Sequence, residues 1–141
     1  MDSRNAFLSL LLFCLIPAVA GHAGTLFPPP GSGEQARKEV IAALKAGNSD
    51  ALAAYLNTMV DLDIPGYRGT CGKTQGARLV RDFMSRNPFR DLKEVGSGQR
   101  DDGGTYTITE LKAGGKPYRV YFVLKETSGK WLIHLLKINT I

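Results

Sequence analysis

Residues 118–125, Tyr-Arg-Val-Tyr-Phe-Val-Leu-Lys, decide the fold class of this 141-residue chain. Every second residue from Tyr118 to Leu124 is apolar or aromatic, and side chains alternate between the two faces of a β-sheet. The other face is mixed and begins with Arg119. A sheet containing this strand therefore buries one face on helices and only partly shields the other.

The sequence on both sides of this strand predicts further strands joined by tight turns. Trp131 to Ile138 is apolar on both faces, as expected of a central strand. Glycine-containing turn signals at 101–104, 114–115 and 128–129 recur at the spacing of consecutive hairpins. We expect a four-stranded meander after residue 88.

The first half of the domain is helical by pattern. Ser32 stands three residues before Gln35, a capping-box spacing, and opens an amphipathic helix to about Ala46 whose polar face includes Arg37. Gly47 stops this helix. A short second helix follows, with the apolar residues Leu52, Tyr55 and Leu56.

A strand and a third helix complete the first half. Residues 58–64 alternate between apolar and acidic side chains, which indicates a half-buried strand, and Pro65-Gly66 forces a turn. From Lys73 to Asn87 apolar residues recur at helical spacing among arginines, and Pro88 ends the helix.

The first twenty residues have the organisation of a secretory signal. Arg4 precedes an apolar run from Ala6 to Ile16, and small residues follow. The run is too short to cross a bilayer as a helix, which takes roughly twenty residues. We expect residues 1–20 to be cleaved, with cleavage after Ala23 as the alternative. The product would be a periplasmic or secreted protein without a retained membrane anchor.

Residues 21–33 contain a proline run and predict an extended tether, and residues 34–141 predict a single domain. Loss of the signal removes Cys14 and leaves Cys71 as the only cysteine of the mature chain. No internal disulfide is then available. In an oxidising compartment such a thiol is either packed inside or free for an intermolecular bridge.

Charge and motifs exclude several function classes. The net charge is +5, but the basic residues are spread along the chain, which argues against a nucleic-acid partner. Gly72-Lys73-Thr74 resembles the end of a phosphate-binding loop, yet Tyr67 stands where its first glycine belongs. One mature cysteine and two histidines do not make a structural zinc site. We expect no metal and no cofactor.

Several short segments resemble a family of small exported bacterial proteins of unknown function within the nuclear-transport-factor-2-like superfamily. The resemblance covers about Glu34 to Ile141. It implies an α+β cone in which three N-terminal helices, one interrupted by a short strand, pack on a curved four- to five-stranded antiparallel sheet. The segments are Ile41–Asn48, Gly72–Ala77, Asn87–Pro88, Tyr118–Phe122 and Leu132–His134.

No group of residues forms a catalytic signature. Arg119 and Tyr121 share one strand face and are expected to contact an acidic or polar ligand if that face lines the cone's interior. His134, on an apolar strand, is either a ligand-contacting or a structural histidine. Tyr67 is the fourth residue expected to contact a ligand. Trp131 fits core packing better than an aromatic box.

Three functional hypotheses follow from these residues and the resemblance. The leading one is a non-enzymatic exported module that binds a small ligand or an envelope protein through the cone pocket or the open face of its sheet. The second is an enzyme of the isomerase or dehydratase kind with a buried acid in the cone. The third is a structural homodimer without a pocket.

Overall fold

A computed structural model describes residues 31–141, which form three helices on one face of a curved six-stranded sheet. The predicted signal peptide and residues 21–30 of the predicted tether lie outside the described residues. No helix in residues 31–141 is long and apolar enough to cross a membrane. In chain order the elements are α1 (Gly33–Ala46), α2 (Ser49–Ala54), β1 (Leu56–Ile64), β2 (Tyr67–Gly72), α3 (Lys73–Arg86), β3 (Phe89–Gln99), β4 (Thr105–Ala113), β5 (Lys116–Thr127) and β6 (Lys130–Thr140).

Helix α1 begins and ends where its capping residues predict. The Ser32 hydroxyl accepts a hydrogen bond from the Gln35 amide at 3.1 Å, which satisfies one of the unpaired donors of the first turn. The Gln35 side chain donates to Glu39 instead of returning to the cap, so only half of the capping box forms. Gly47 ends the helix in the left-handed conformation at φ 64°.

Helix α2 is shorter than its apolar pattern predicts. The Asn48 side chain caps it by accepting from the Ala51 amide at 3.1 Å. The helix ends at Ala54, and the Tyr55 carbonyl accepts a bond from the Ile133 amide at 2.7 Å. Because that bond joins the chain to β6, Leu56 already lies in β1, two residues before the predicted start of the strand.

The prediction of a four- to five-stranded antiparallel sheet is wrong in number and in one pairing. The strand order is β2-β1-β6-β5-β4-β3. Strands β3 to β6 form the predicted antiparallel meander. A hairpin turn at Pro65-Gly66, with Gly66 at φ 91°, adds β2, and β1 pairs with β6 in parallel. No element was predicted for residues 67–72, which contain two glycines.

The core lies between the helices and the predicted apolar face of β5. Phe122 and Leu124 of this face are fully buried, as are Leu44 of α1 and Val80 of α3. Tyr118 meets the edge of the Phe83 ring of α3 at 5.6 Å between ring centroids. This face therefore holds the helices on the sheet.

Strand β6 is central, as predicted, but its alternation is interrupted at His134. The register against β5 shifts between the pairs Val123–Leu135 and Leu124–Ile133, which leaves His134 as the extra residue of a β-bulge. Ile133 is consequently buried on the core side, whereas a regular strand would place it on the opposite face.

Gly76 permits the close approach of α3 to β1. A larger side chain at this position is therefore expected to destabilise the fold. A Cβ there would lie 3.1 Å from Cγ1 of Val60 and 3.5 Å from Sγ of Cys71. We expect Gly76→Leu to lower the free energy of unfolding by about 1–3 kcal/mol through overpacking. Urea unfolding measures this. Gln75→Leu adds the same side chain at an exposed position and is the control; equal effects of both substitutions would contradict the packing argument.

Candidate functional site

The structure separates the predicted ligand-binding residues into two groups. Arg119, Tyr121 and His134 lie on the side of the sheet turned away from the helices. We call this surface the open sheet face; its further members are Tyr106, Ile108, Val123 and Leu135. Arg119 and Tyr121 therefore do not line the interior of the cone, which was the condition attached to their prediction.

On the open sheet face, Arg119 and Tyr121 are engaged by neighbouring side chains. Arg119 forms an ion pair with Glu110 at 2.8 Å, and both groups are partly exposed. The Tyr121 hydroxyl accepts a hydrogen bond from Arg100 at 3.2 Å. The Tyr121 ring stacks on Tyr106 with 6.0 Å between centroids. These contacts are typical of a self-stabilised polar sheet surface.

Asp102 is the centre of a polar network beside Tyr121. It accepts from Lys125 at 2.9 Å and from the Gly104 amide at 3.0 Å, and it forms an ion pair with Arg100 at 3.3 Å. The hydrogen bond from Lys125, followed by those from Gly104 and Arg100, holds the pKa of Asp102 well below its usual range. The loop between β3 and β4 is thereby fastened to β5.

His134 is half-buried and stands in the bulge of β6. Its Nε2 lies 3.0 Å from the Thr127 hydroxyl. Burial, and secondarily the charge of Lys125, lowers the pKa of His134. The imidazole is therefore predominantly neutral near pH 7, which is compatible with a structural role for His134.

Tyr67 and Cys71 lie together on β2, apart from the other candidates. The Tyr67 hydroxyl donates to the Thr70 carbonyl at 3.4 Å, and partial burial, followed by the proximity of Cys71, raises its pKa. Cys71 is a free thiol that is only 3% exposed. An intermolecular disulfide would require local opening of β2, so the position favours a packed thiol.

A cavity with several polar side chains lies elsewhere, where the start of α1 passes over the ends of β3, β4 and β6. It measures about 330 Å³, which is at the small end of the range for ligand pockets. We call it the cone mouth; its principal walls are Glu34, Arg37, Ser97, Gln99, Thr105 and Trp131. None of the residues predicted from sequence to bind a ligand belongs to it.

Arg37 joins α1 to β3 at the cone mouth. Its guanidinium forms ion pairs with Glu34 on the same helix and with Glu94 on β3, and its side chain is 17% exposed. The hydrogen bond with Arg37 lowers the pKa of Glu34, and the same bond raises the pKa of Arg37. Both groups therefore carry their charges over the whole physiological pH range.

Three threonine hydroxyls line the core side of β4 next to the cone mouth. Thr105, Thr107 and Thr109 pair in register with fully buried residues of β5, and Thr107 and Thr109 are themselves 0% exposed. Within the described residues, no hydrogen-bond partner reaches the Oγ1 atom of any of the three. Ser97 and Gln99 pair with Thr107 and Thr105 across the strands, so the polar row continues into the cone mouth.

The described part of the chain offers no metal centre. Among residues 31–141, no three histidine, cysteine, aspartate or glutamate side chains lie close enough together to hold a metal ion. The two glutamates of the cone-mouth region are both bound to Arg37. The chemistry available there is hydrogen bonding and contact with an aromatic ring.

Residues 37–139 match the family described as a domain of unknown function, DUF4783. The chain belongs to the DUF4783 family. A DUF4783 protein of Bacteroides uniformis has a similar structure, with 27% identity, a TM-score of 0.68, and coverage of 74% of this chain and 95% of that one. The family resemblance seen in the sequence is thus confirmed.

More distant structures share the fold alone. An NTF2-like protein of unknown function from Cytophaga hutchinsonii is 16% identical, with a TM-score of 0.56 over 78% of this chain and 90% of that one. An LEH-like epoxide hydrolase of Mycobacterium tuberculosis is 21% identical, with a TM-score of 0.54 over 77% and 78%. A comparison with curated proteins gave no match. The DUF4783 domain therefore has the nuclear-transport-factor-2-like fold, without an activity attached to it.

Sequence reasoning missed the residues of the cone mouth for identifiable reasons. Arg37 stands on the polar side of an amphipathic helix, where an arginine is ordinarily solvated. Trp131 was assigned to the core, and it is half-buried between the core and the cavity. The repeated threonines of residues 105–109 were the available signal, since three hydroxylic residues at a spacing of two share one strand face.

The depressed pKa of Asp102 predicts how its replacement changes the acid sensitivity of the fold. A carboxyl whose pKa is lower in the folded state stabilises above its unfolded pKa of about 3.9, and this stabilisation is lost as the pH falls below that value. We expect Asp102→Asn to be less stable than wild type at pH 7, with the difference shrinking between about pH 4 and pH 2.

Urea unfolding at a series of pH values measures this difference. Asp101→Asn is the matched control, because Asp101 is exposed and forms no ion pair with any residue from 31 to 141. A difference between Asp102→Asn and wild type that stays constant across the acid range would contradict the assignment.

Proposed function

We propose that this DUF4783 domain works outside the cytoplasm as a non-enzymatic binding module, with a small polar ligand entering at the cone mouth. The observation that carries the proposal is the row of buried threonine hydroxyls behind it. The export signal predicted in residues 1–20 supports the location.

Buried hydroxyls without partners are costly, and this makes the threonine row informative. Leaving a buried polar group unsatisfied costs about 1–3 kcal/mol, and such groups are rare in folded proteins. Thr105, Thr107 and Thr109 concentrate three of them on one strand, and Thr105 at the end of this row lines the cavity. A polar ligand, or water that it displaces, would satisfy hydroxyls that an apolar core would not contain.

The electrostatics at the cone mouth favour binding over proton-transfer catalysis. A general acid or base works best when its pKa lies near the operating pH, which for a carboxyl requires a raised pKa. Glu34 has a lowered pKa because it is bound by Arg37, and Glu94 is bound by the same guanidinium. These pairs weigh against the isomerase or dehydratase hypothesis at this cavity.

A partner protein or a second copy on the open sheet face is the second candidate. The stacked rings of Tyr106 and Tyr121 favour it, because tyrosine is enriched in protein interfaces. Such a partner would not touch the threonines on the opposite side of the sheet. Dependence of binding on Thr107 therefore distinguishes the two candidates.

Replacing Thr107 by valine tests the binding proposal. Valine has nearly the same shape without the hydroxyl, so we expect ligand-free Thr107→Val to gain about 1 kcal/mol in the free energy of unfolding. We also expect the small-molecule fraction of an envelope extract to raise the melting temperature of wild type and to raise that of Thr107→Val less.

Thr127→Val is the matched control, because its hydroxyl binds His134 on the other side of the sheet. We expect it to lose stability and to keep the full response to the extract. The proposal fails if Thr107→Val is destabilised and the extract leaves the melting temperature of wild type unchanged.

The location is tested by the mass of the mature protein. Expressed from its complete sequence in a bacterium with an envelope, the chain is expected in the periplasm or medium with Gly21 as its first residue, or Gly24 for the alternative cleavage. Intact-mass spectrometry of each cell fraction measures this. A full-length product confined to the cytoplasm would contradict export.

A further inference from the structure

The polar groups of the cone mouth also indicate a ligand class, and this inference rests on the function proposed above. We propose that the cone mouth binds a neutral, hydroxyl-rich ring of the size of a sugar. Three independent features of the cavity lead to this class: the pairing of its charges, the type of its hydrogen-bonding groups and the position of the Trp131 indole in its wall.

The charges at the cone mouth disfavour an ionic ligand. The single guanidinium of Arg37 is shared by the carboxylates of Glu34 and Glu94, so all three charged groups are engaged and the triad is net negative. An anionic ligand would meet the Glu34 carboxylate in the cavity wall, and a cationic one would compete with Arg37, at the cost of breaking a partly buried pair. A neutral ligand leaves the pairs intact and donates its hydroxyl protons to the remaining lone pairs of the carboxylates.

The uncharged polar groups match hydroxyls. The hydroxyls of Ser97 and Thr105 have the capacity to donate one hydrogen bond and to accept others, and the Gln99 amide has both a donor and an acceptor. Ligand hydroxyls have the same dual character, so every group in the row finds a partner in either direction. A ligand with acceptors only would leave the lone pairs of these hydroxyls unsatisfied.

Trp131 supplies a flat apolar wall on one side of the cavity. Gly33 lies so close to the indole that a Cβ there would be 3.1 Å from the ring, which fixes the plane of the ring against α1. The same indole borders a second cavity of about 270 Å³ near Gly31 and Tyr55. The negative π face of an indole attracts the polarised C–H groups on the face of a sugar ring.

Trp131 is also the only tryptophan of the chain, so its fluorescence reports on the cone mouth directly. The test is a titration of the mature protein with glucose, galactose, N-acetylglucosamine, myo-inositol and maltose. Glucosamine and glucuronate serve as cationic and anionic ligands of matched ring. We expect a saturable change for at least one neutral compound, and about tenfold or more weaker binding of both charged rings.

Two pairs of variants locate the binding. We expect Gln99→Leu and Thr105→Val each to raise the dissociation constant of the neutral compound by about tenfold or more, because each removes a hydrogen-bonding group from the cavity. Gln75→Leu on α3 and Thr127→Val on β5 make the same chemical changes outside the cone mouth. They are expected to bind as wild type.

The outcomes separate this inference from the function on which it rests. Tighter binding of glucosamine or glucuronate, or unchanged binding in Gln99→Leu and Thr105→Val, overturns the neutral ligand class. No response to any of these compounds overturns it as well, while an extract effect that depends on Thr107 upholds the binding module. The absence of both responses overturns the two proposals together.

Discussion

The burial of one face of β5 against the helices is the constraint on which the rest of this structure depends. Phe122 and Leu124 are fully buried there, and the Tyr118 ring meets Phe83 of α3. Because the side-chain period of a strand is two, committing these residues to the core commits Arg119 and Tyr121 to the other side. The same register determines which side of β4 and β6 faces the helices, so it creates both the open sheet face and the polar row behind the cone mouth.

Elements with local signals could be predicted from the sequence. Helix α1 carries its own cap at Ser32 and its stop at Gly47, α3 ends before Pro88, and glycine turns mark the meander. The parallel pairing of β1 with β6 joins segments about 75 residues apart, and no short-range pattern specifies such a contact. Strand β2 was not predicted, because the glycines of residues 67–72 lower its intrinsic strand propensity, whereas pairing with β1 is what makes it a strand.

The candidate site could not be located from the sequence because tertiary register overrides local alternation there. In residues 105–109 the apolar Tyr106 and Ile108 would ordinarily face the core and the threonines the solvent. The register with β5 reverses this, since Thr107 lies opposite the buried Phe122. Further along β4, Leu111 pairs with Tyr118 on the core side, so the strand gains apolar burial at one end and tolerates buried hydroxyls at the other.

The cone mouth lies where small residues of β3, Ser97 and Gly98, adjoin the ion pair between Arg37 and Glu94. Gly98 of β3 lies under the Tyr106 ring on the open sheet face, where a Cβ would come within 2.8 Å of it, and the neighbouring residue on the core side is the small Ser97. Arg37 of α1 reaches β3 at this point and forms an ion pair with Glu94. The cavity lies beside this ion pair, and Ser97, Gln99 and Thr105 line it. Its polarity therefore follows from the register that turns these three side chains to the core side of the sheet.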